Sequence, residues 1–174
     1  FRLNLINSIS GIKPANLVGT ASKENGNNLA IISSVVHLGS NPPLLGFIMR
    51  PTQEIRRDTY INILENGCFT INHVQESMIE RAHYTSVKFP EETSEFAACE
   101  LEAEHLNDFP APFVKESLVK IGLKHVETIN IKINDTLMIV GEVQDIYLSE
   151  ENVDERGYIK LGDMKNVGSG GVNS

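Results

Sequence analysis

Three short segments gather an unusual share of this chain's polar chemistry. They are Asn28-Leu-Ala-Ile-Ile-Ser33-Ser34, then Pro42-Pro43, then Arg56-Arg57-Asp58-Thr59 with Asn62-Ile63 behind it. Ser33 and Ser34 lie within an apolar run, where a hydroxyl costs desolvation unless it finds a partner. Asp58-Thr59 opens a helical pattern, and a helix start presents free N–H groups and a positive dipole end to an anion. Arg56 and Arg57 stand immediately before it, and Arg50 leads into the same segment. Guanidinium groups hold phosphate through charged, forked hydrogen bonds. These are parts for seating a phosphorylated, flat, heteroaromatic cofactor. Each part also has a plainer reading. The serines could bond neighbouring backbone, Asp58 could simply cap the helix, and Arg56 could be solvated.

Other chemistries find less support. His37, His73, His83, His105 and His125 are scattered, without the clustered spacing that a zinc site needs, so no metal is expected. Neither Ser33-Ser34 nor Cys68 lies in a nucleophile-elbow pattern, and no catalytic residue is assigned. Gly168-Ser-Gly-Gly171 lacks the full dinucleotide-binding spacing and reads as a turn. The net charge of −8 over 174 residues argues against nucleic acid, which needs a basic stripe. It leaves room for one bound phosphate. No apolar run approaches the length of a membrane span, and the first ten residues hold no signal-peptide core. The chain opens on Phe1 rather than Met, which leaves room for residues ahead of it. Cys68 and Cys99 are far apart and read as free thiols, which fits a reducing cytoplasm. Asn134-Asp135-Thr136 matches a glycosylation acceptor but has no secretory context.

The elements that must position these residues are mostly strands. Length and composition (41% hydrophobic, 22% charged) suit one domain over residues 1–174. Residues 15–21 predict a strand, and Lys23 to Asn28 a polar turn. Residues 29–37 and 44–50 are short apolar runs separated by Gly39 to Pro43, and both predict buried strands. From Asp58 to Asn66 the spacing turns helical, with Asp58 as N-cap and Gly67 as the C-terminal stop. Residues 68–74 predict a strand and Gln75–His83 a short helix. Residues 84–115, with an acidic run at 91–95, predict loops around a helix at 94–99. Ile129, Ile131 and Ile133 alternate with polar residues, a period of two. A turn at Asn134-Asp135, a strand from Leu137 to Leu148, an acidic loop and a strand at 158–161 follow. The expected fold is mainly β: a barrel or sandwich with short helices, not a βαβ array.

At these residues the sequence resembles the flavin reductase-like family, the FMN-binding split β-barrels. The family pattern matches Asn28-x-Ala30-x-x-Ser33-Ser34, Pro42-Pro43-Leu44, Asp58-Thr59 with Asn62-Ile63, and Phe69-x-x-Asn72. Ala82-His83-Tyr-Thr85-Ser86-Val-Lys88-Phe-Pro90 with Ser94-Glu95-Phe96 is similar to its middle loop, and Ala111-Pro112 with Glu116-Ser117 to its return strand. The resemblance covers roughly residues 2–165. Ile31 stands where the family often has Pro, and Arg57 where it often has Lys. The chain has no Trp to stack on a flavin. It ends on Gly-Gly-Val-Asn-Ser, where related chains often continue to an aromatic.

The resemblance implies a six-stranded Greek-key split barrel that forms a homodimer with FMN near the interface. In that frame Asn28 to Ser34 line the isoalloxazine ring and ribityl chain, with hydroxyls from Ser33 and Ser34. Arg50 approaches the phosphate end, and Arg57 and Thr59 hold the phosphate. Thr85, Ser86 and Lys88 close over it, and His83 sits near the flavin edge. The implied activity is oxidoreduction, with NAD(P)H and a small-molecule acceptor as partners, in the cytoplasm. A non-enzymatic FMN-binding electron carrier on the same fold shares every one of these motifs. A degenerate barrel with an empty site would not need Ser33, Ser34, Arg57, Asp58 and Thr59.

Overall fold

A computed structural model of the chain describes residues 1–23, 26–52, 56–90 and 93–171. In chain order its elements are α1 (Arg2–Ser8), β1 (Lys13–Pro14), β2 (Asn16–Ser22), β3 (Gly26–Ile32), β4 (Val36–Ser40), β5 (Pro43–Met49), α2 (Asp58–Asn66), β6 (Cys68–His73), α3 (Ile79–Tyr84), α4 (Glu95–Ala98), β7 (Ala103–Glu104), β8 (Phe113–Val114), β9 (Lys120–Ile131), β10 (Thr136–Tyr147) and β11 (Gly168–Ser169). Seven strands make one antiparallel sheet in the order β3-β2-β6-β9-β10-β5-β4.

Its two edges, β3 and β4, are neighbours in sequence, with only Ser33, Ser34 and Val35 between them. The step from Ile32 to Val36 can span about 15 Å at most. Seven strands laid flat would hold their outer members about 29 Å apart. The sheet must therefore roll until its edges meet, and the chain itself bridges the seam. Ring contact confirms the curl. Phe47 of β5 and Phe69 of β6 meet edge-to-face at 5.5 Å, although two strands lie between them and a flat sheet would part them by about 14 Å.

Alternate residues of the rolled sheet fill its inside. Val18, Phe47, Met49, Phe69, Ile71, Leu123 and Ile139 form one buried cluster, which Ile63 of α2 joins. The other face of β2 and β3 packs Leu17 and Leu29 against Met78, Ala82, Phe96, Cys99 and Val114. Burial on both faces explains why these strands read as apolar runs rather than alternating ones. Gly141 is required where Phe69 crosses β10, because a Cβ there would lie 2.6 Å from the phenyl ring. Cutting Phe69 to alanine empties the barrel centre. We expect a loss of about 3–5 kcal/mol in a urea titration, as for other buried Phe→Ala changes.

Most predicted elements form. Asp58–Asn66 is helical, and Gly67 ends it with φ 66°. Residues 132–135 turn between β9 and β10, with Asp135 in the left-handed region. The differences are informative. The apolar run at 29–37 is not one strand: β3 stops at Ile32 and β4 begins at Val36, because the seam falls between them. Residues 158–161 make no strand, only an isolated bridge between Val153 and Ile159. The turn at Gly168–Gly171 includes β11, which pairs with β1. Residues 2–8, for which the sequence predicts no element, form α1. Parts of three predicted features, Glu24-Asn25 of the first turn, Glu91-Glu92 of the acidic run and residues 172–174 at the C-terminus, lie outside the described residues.

Candidate functional site

The seam between β3 and β4 is the natural place for a ligand, since no ladder of backbone bonds closes it. Ser34 spans it with one side chain. The Ile48 amide donates to Ser34 Oγ at 3.0 Å, and that hydroxyl donates to the Ile48 carbonyl at 3.2 Å. Residue 48 is where the β4–β5 register would next pair Ser34, so the hydroxyl stands in for a missing rung. Two residues on, Arg50 leaves the end of β5, exposed and with no side-chain partner among the described residues.

α2 meets the seam from one side. Its N-cap is Arg57, in extended conformation, and Asp58 is the first helical residue rather than the cap. The Arg57 carbonyl accepts the amides of Tyr60 and Ile61, at 3.0 and 3.1 Å. The amides of Asp58 and Thr59 therefore have no acceptor within the helix. Arg57 Nε reaches the Pro51 carbonyl only at 3.5 Å, a marginal bond that leaves the guanidinium available. Arg56 turns to Asp58 instead, at 2.6 Å, and neutralises the charge nearest the helix start. The two adjacent arginines thus have different tasks.

Thr59 faces β3. Its hydroxyl accepts from Asn28 Nδ2 at 3.1 Å, and the same amide donates to Thr20 Oγ1 at 3.1 Å. Asn62, one turn along α2, also donates to Thr20 Oγ1 at 3.1 Å. Thr20 and Asn62 were not among the predicted site residues. The three-residue spacing of Thr59 and Asn62 on one helix face, and a lone threonine in the apolar strand Leu17–Ala21, were the signals for them.

The middle loop closes the other flank. Thr85 is buried; its hydroxyl accepts from the Ile31 amide at 3.0 Å and donates to the Ala82 carbonyl at 2.8 Å. That hydroxyl is fully engaged and fastens the end of α3 to β3. Beyond it, Ser86 and Lys88 are exposed, as is His83, and none has a side-chain partner among the described residues. Ser33 is half-buried, and its hydroxyl is equally free. One circuit of contacts therefore links β3 to α2, α2 to the end of β5, β5 to Ser34, and β3 to the middle loop. It brings all ten predicted residues onto four segments that touch in turn. Asn28, Ser34 and Thr85 spend their polar atoms on the protein. Among the described residues Ser33, Arg50, Ser86 and Lys88 have no side-chain partner and Arg57 only a marginal one, three cations and two hydroxyls, a donor set suited to a phosphate with a polyol behind it.

The open edge of β3 is protected by side chains. Ser94 Oγ donates to the Asn27 carbonyl at 2.6 Å, the Leu29 amide donates to Glu95 Oε2 at 3.0 Å, and Ile31 is served by Thr85. Burial pushes the Glu95 carboxyl above its usual range, against the opposing effect of the Leu29 amide. A carboxyl raised on folding favours the protonated native state. Its contribution to stability is complete below the ordinary value, about 4.3, and is lost as pH rises through the folded value. Glu95→Gln keeps an acceptor for Leu29 without the charge. Its melting temperature relative to wild type is expected to rise between pH 4 and pH 7, and a flat difference would refute this account.

This rolled antiparallel sheet with a polar seam defines a split-barrel protein. The chain belongs to the flavin reductase like domain family, which matches residues 11–165. It is similar to a crystallised candidate flavin reductase with a split barrel domain from Shewanella frigidimarina, 45% identical, with TM-score 0.95, covering 99% of this chain and 85% of that one. Component B of nitrilotriacetate monooxygenase from Bacillus cereus shares the fold at TM-score 0.90 and 21% identity, over 99% of this chain and 87% of that one. The uncharacterised protein YwrF of Bacillus subtilis is 28% identical over 88% of this chain and 77% of its own length. Among the described residues no helix is long and apolar enough to cross a membrane.

Proposed function

We propose that this protein is an FMN-binding oxidoreductase that uses NAD(P)H to reduce flavin or a related small acceptor. The observation that supports this most is the circuit around the seam, whose segments carry three cations and two hydroxyls that, apart from the marginal Arg57–Pro51 bond, have no side-chain partner among the described residues. Arg57, Thr59 and the first-turn amides of α2 would hold the phosphate, Arg50 and Lys88 would flank it, and Ser33 and Ser86 would meet the ribityl hydroxyls. The flavin supplies the hydride chemistry when bound. The protein's part is to hold the ring, exclude water and leave one face open to a nicotinamide at about 3–3.5 Å. No side-chain acid or base is needed for that step.

The same reading includes a cytoplasmic homodimer. Its support is the outer face of the sheet beside the seam, where Val36 and Leu38 of β4 and Ile129 of β9 are exposed next to Ile48 and Met138. A second copy covering that face would remove apolar area from water. Sedimentation velocity is expected to give twice the chain mass.

The deciding experiment is anaerobic stopped flow on FMN-loaded protein mixed with NADH or NADPH. Flavin bleaching with at least one of them, followed by steady consumption in excess free FMN, is the expected result. No uptake of FMN removes the cofactor. Uptake without bleaching by either nucleotide leaves an electron carrier in place of a reductase.

A further inference from the structure

The least expected feature of the site is where Asn28 points its amide. The resemblance sets this residue along the flavin ring. In the structure both of its Nδ2 hydrogens are used on hydroxyls, one on Thr20 and one on Thr59. Thr20 is fully buried and Thr59 and Asn62 are 6% and 4% exposed, so this is a packed network and not a surface contact. Asn62 adds a second donor to Thr20 Oγ1, which fixes that oxygen as the acceptor to which Asn28 is anchored.

The consequence concerns one proton. A threonine hydroxyl has a single hydrogen and can both accept and donate. Because Thr59 Oγ1 accepts from Asn28, its own hydrogen must point elsewhere. Thr59 is the second residue of α2, two residues after Arg57, at the helix start where the amides of Asp58 and Thr59 have no acceptor within the helix. We propose that Asn28 is a positioning residue for phosphate: it holds the Thr59 hydroxyl as a donor aimed at the anion, and acts through Thr59 rather than through the ring. A carboxylate at position 28 would do the opposite. It would draw the Thr59 proton back to itself and add a negative charge next to the phosphate seat. Asp58 does not already play that part, since its carboxylate is engaged by Arg56.

This inference rests on the FMN reading above, and riboflavin separates the two. Riboflavin has the ring and ribityl chain without the phosphate. Dissociation constants for FMN and riboflavin would be measured by fluorescence titration on wild type, Asn28→Ala, Asn28→Asp, Thr59→Val and the Asn28→Ala/Thr59→Val double variant. Loss of one charge-assisted bond corresponds to roughly tenfold or more in affinity. Asn28→Ala and Thr59→Val should each weaken FMN by about that factor, with riboflavin held within about twofold, and the double variant should be no worse than Thr59→Val alone. Asn28→Asp, which keeps the shape of the native side chain, should lose about a hundredfold for FMN. It also decides the matter if the alanine variant melts early. The proposal is overturned if FMN and riboflavin weaken together, or if the two single losses multiply in the double variant. Wild-type protein that binds neither flavin overturns the cofactor reading itself, and this inference with it.

Discussion

Reversing the charge at Arg57, by Arg57→Glu, is expected to weaken FMN binding at least about a hundredfold while leaving the thermal melt nearly unchanged. Two effects add. The variant removes a charge-assisted hydrogen bond to phosphate, worth about 1.5–3 kcal/mol. It also sets a carboxylate against a dianion, which at about 4 Å near a protein surface costs several kcal/mol before salt screening. Together they exceed the roughly 2.8 kcal/mol that corresponds to a factor of one hundred. Stability should survive because Arg57 contributes little to the fold: among the described residues its side chain makes one marginal 3.5 Å bond, to Pro51, and its capping work is done by its backbone. Arg56→Ala is the matched control. That side chain is more exposed and pairs with Asp58, so its loss should cost FMN much less. Fluorescence titration at two ionic strengths checks both. If Arg56→Ala were the more damaging of the two, the phosphate seat assigned to Arg57 would be wrong.

Much of this arrangement could be read from the chain, and the reasons differ by element. α2 was legible because its signals are local: an apolar repeat of three and four, and a glycine that takes φ 66° at the stop. β10 and the last residues of β9 were legible because Ile129 and Ile131 alternate with polar residues and a left-handed Asp135 turns the chain, whereas residues 120–127 carried no such signal. The seam was not. It interrupts a run that is apolar on both sides of Ser33-Ser34, and β3 ends at Ile32 because the chain there leaves its pairing with β2 to begin the β4–β5 hairpin. The cap was misplaced by one residue for a similar reason. Asp58 is a good cap by type, but its carboxylate is drawn to Arg56 and the helix starts from Arg57.

The site was legible as a set of segments and not as a set of roles. Motif order picked out segments that touch in the structure: Asn28 bonds Thr59, Thr85 bonds the Ile31 amide, and Arg57 reaches Pro51. Which hydroxyl is spent on the protein and which stays available depends on register. Ser34 and Thr85 fall opposite backbone groups left unpaired at the two sheet edges, so they satisfy those groups. Ser33, one residue away, has no partner for its hydroxyl among the described residues. A one-residue difference at the crossing between β3 and β4 decides the role, and no spacing rule for a single chain carries that information.

Asn72→Leu is expected to be the most damaging single change outside the barrel's apolar centre, at about 3–5 kcal/mol in a denaturant titration, within the range seen when a buried hydrogen-bond network is broken. Asn72 is fully buried, and its amide joins three elements. Nδ2 donates to the Leu17 carbonyl of β2 at 3.1 Å and to Thr70 Oγ1 of β6 at 2.9 Å, and Oδ1 accepts from the Val114 amide of β8 at 2.9 Å. Leucine has nearly the same size and would fill the space. Its effect therefore isolates the polar loss, which leaves a buried amide and a carbonyl short of partners. Against a total stability of about 5–15 kcal/mol for an ordinary domain, that is a large fraction. The loss should also reach the site. Leu17 lies on the strand that carries Thr20, and Val114 packs in the cluster that supports α3 and, through Thr85, the middle loop. FMN should consequently bind more weakly at temperatures well below the melt, and riboflavin should weaken in proportion. That joint loss distinguishes Asn72 from Arg57, whose effect vanishes when the phosphate is absent. A leucine variant as stable as wild type would mean that Asn72 is retained for some purpose other than tying β2, β6 and β8 together.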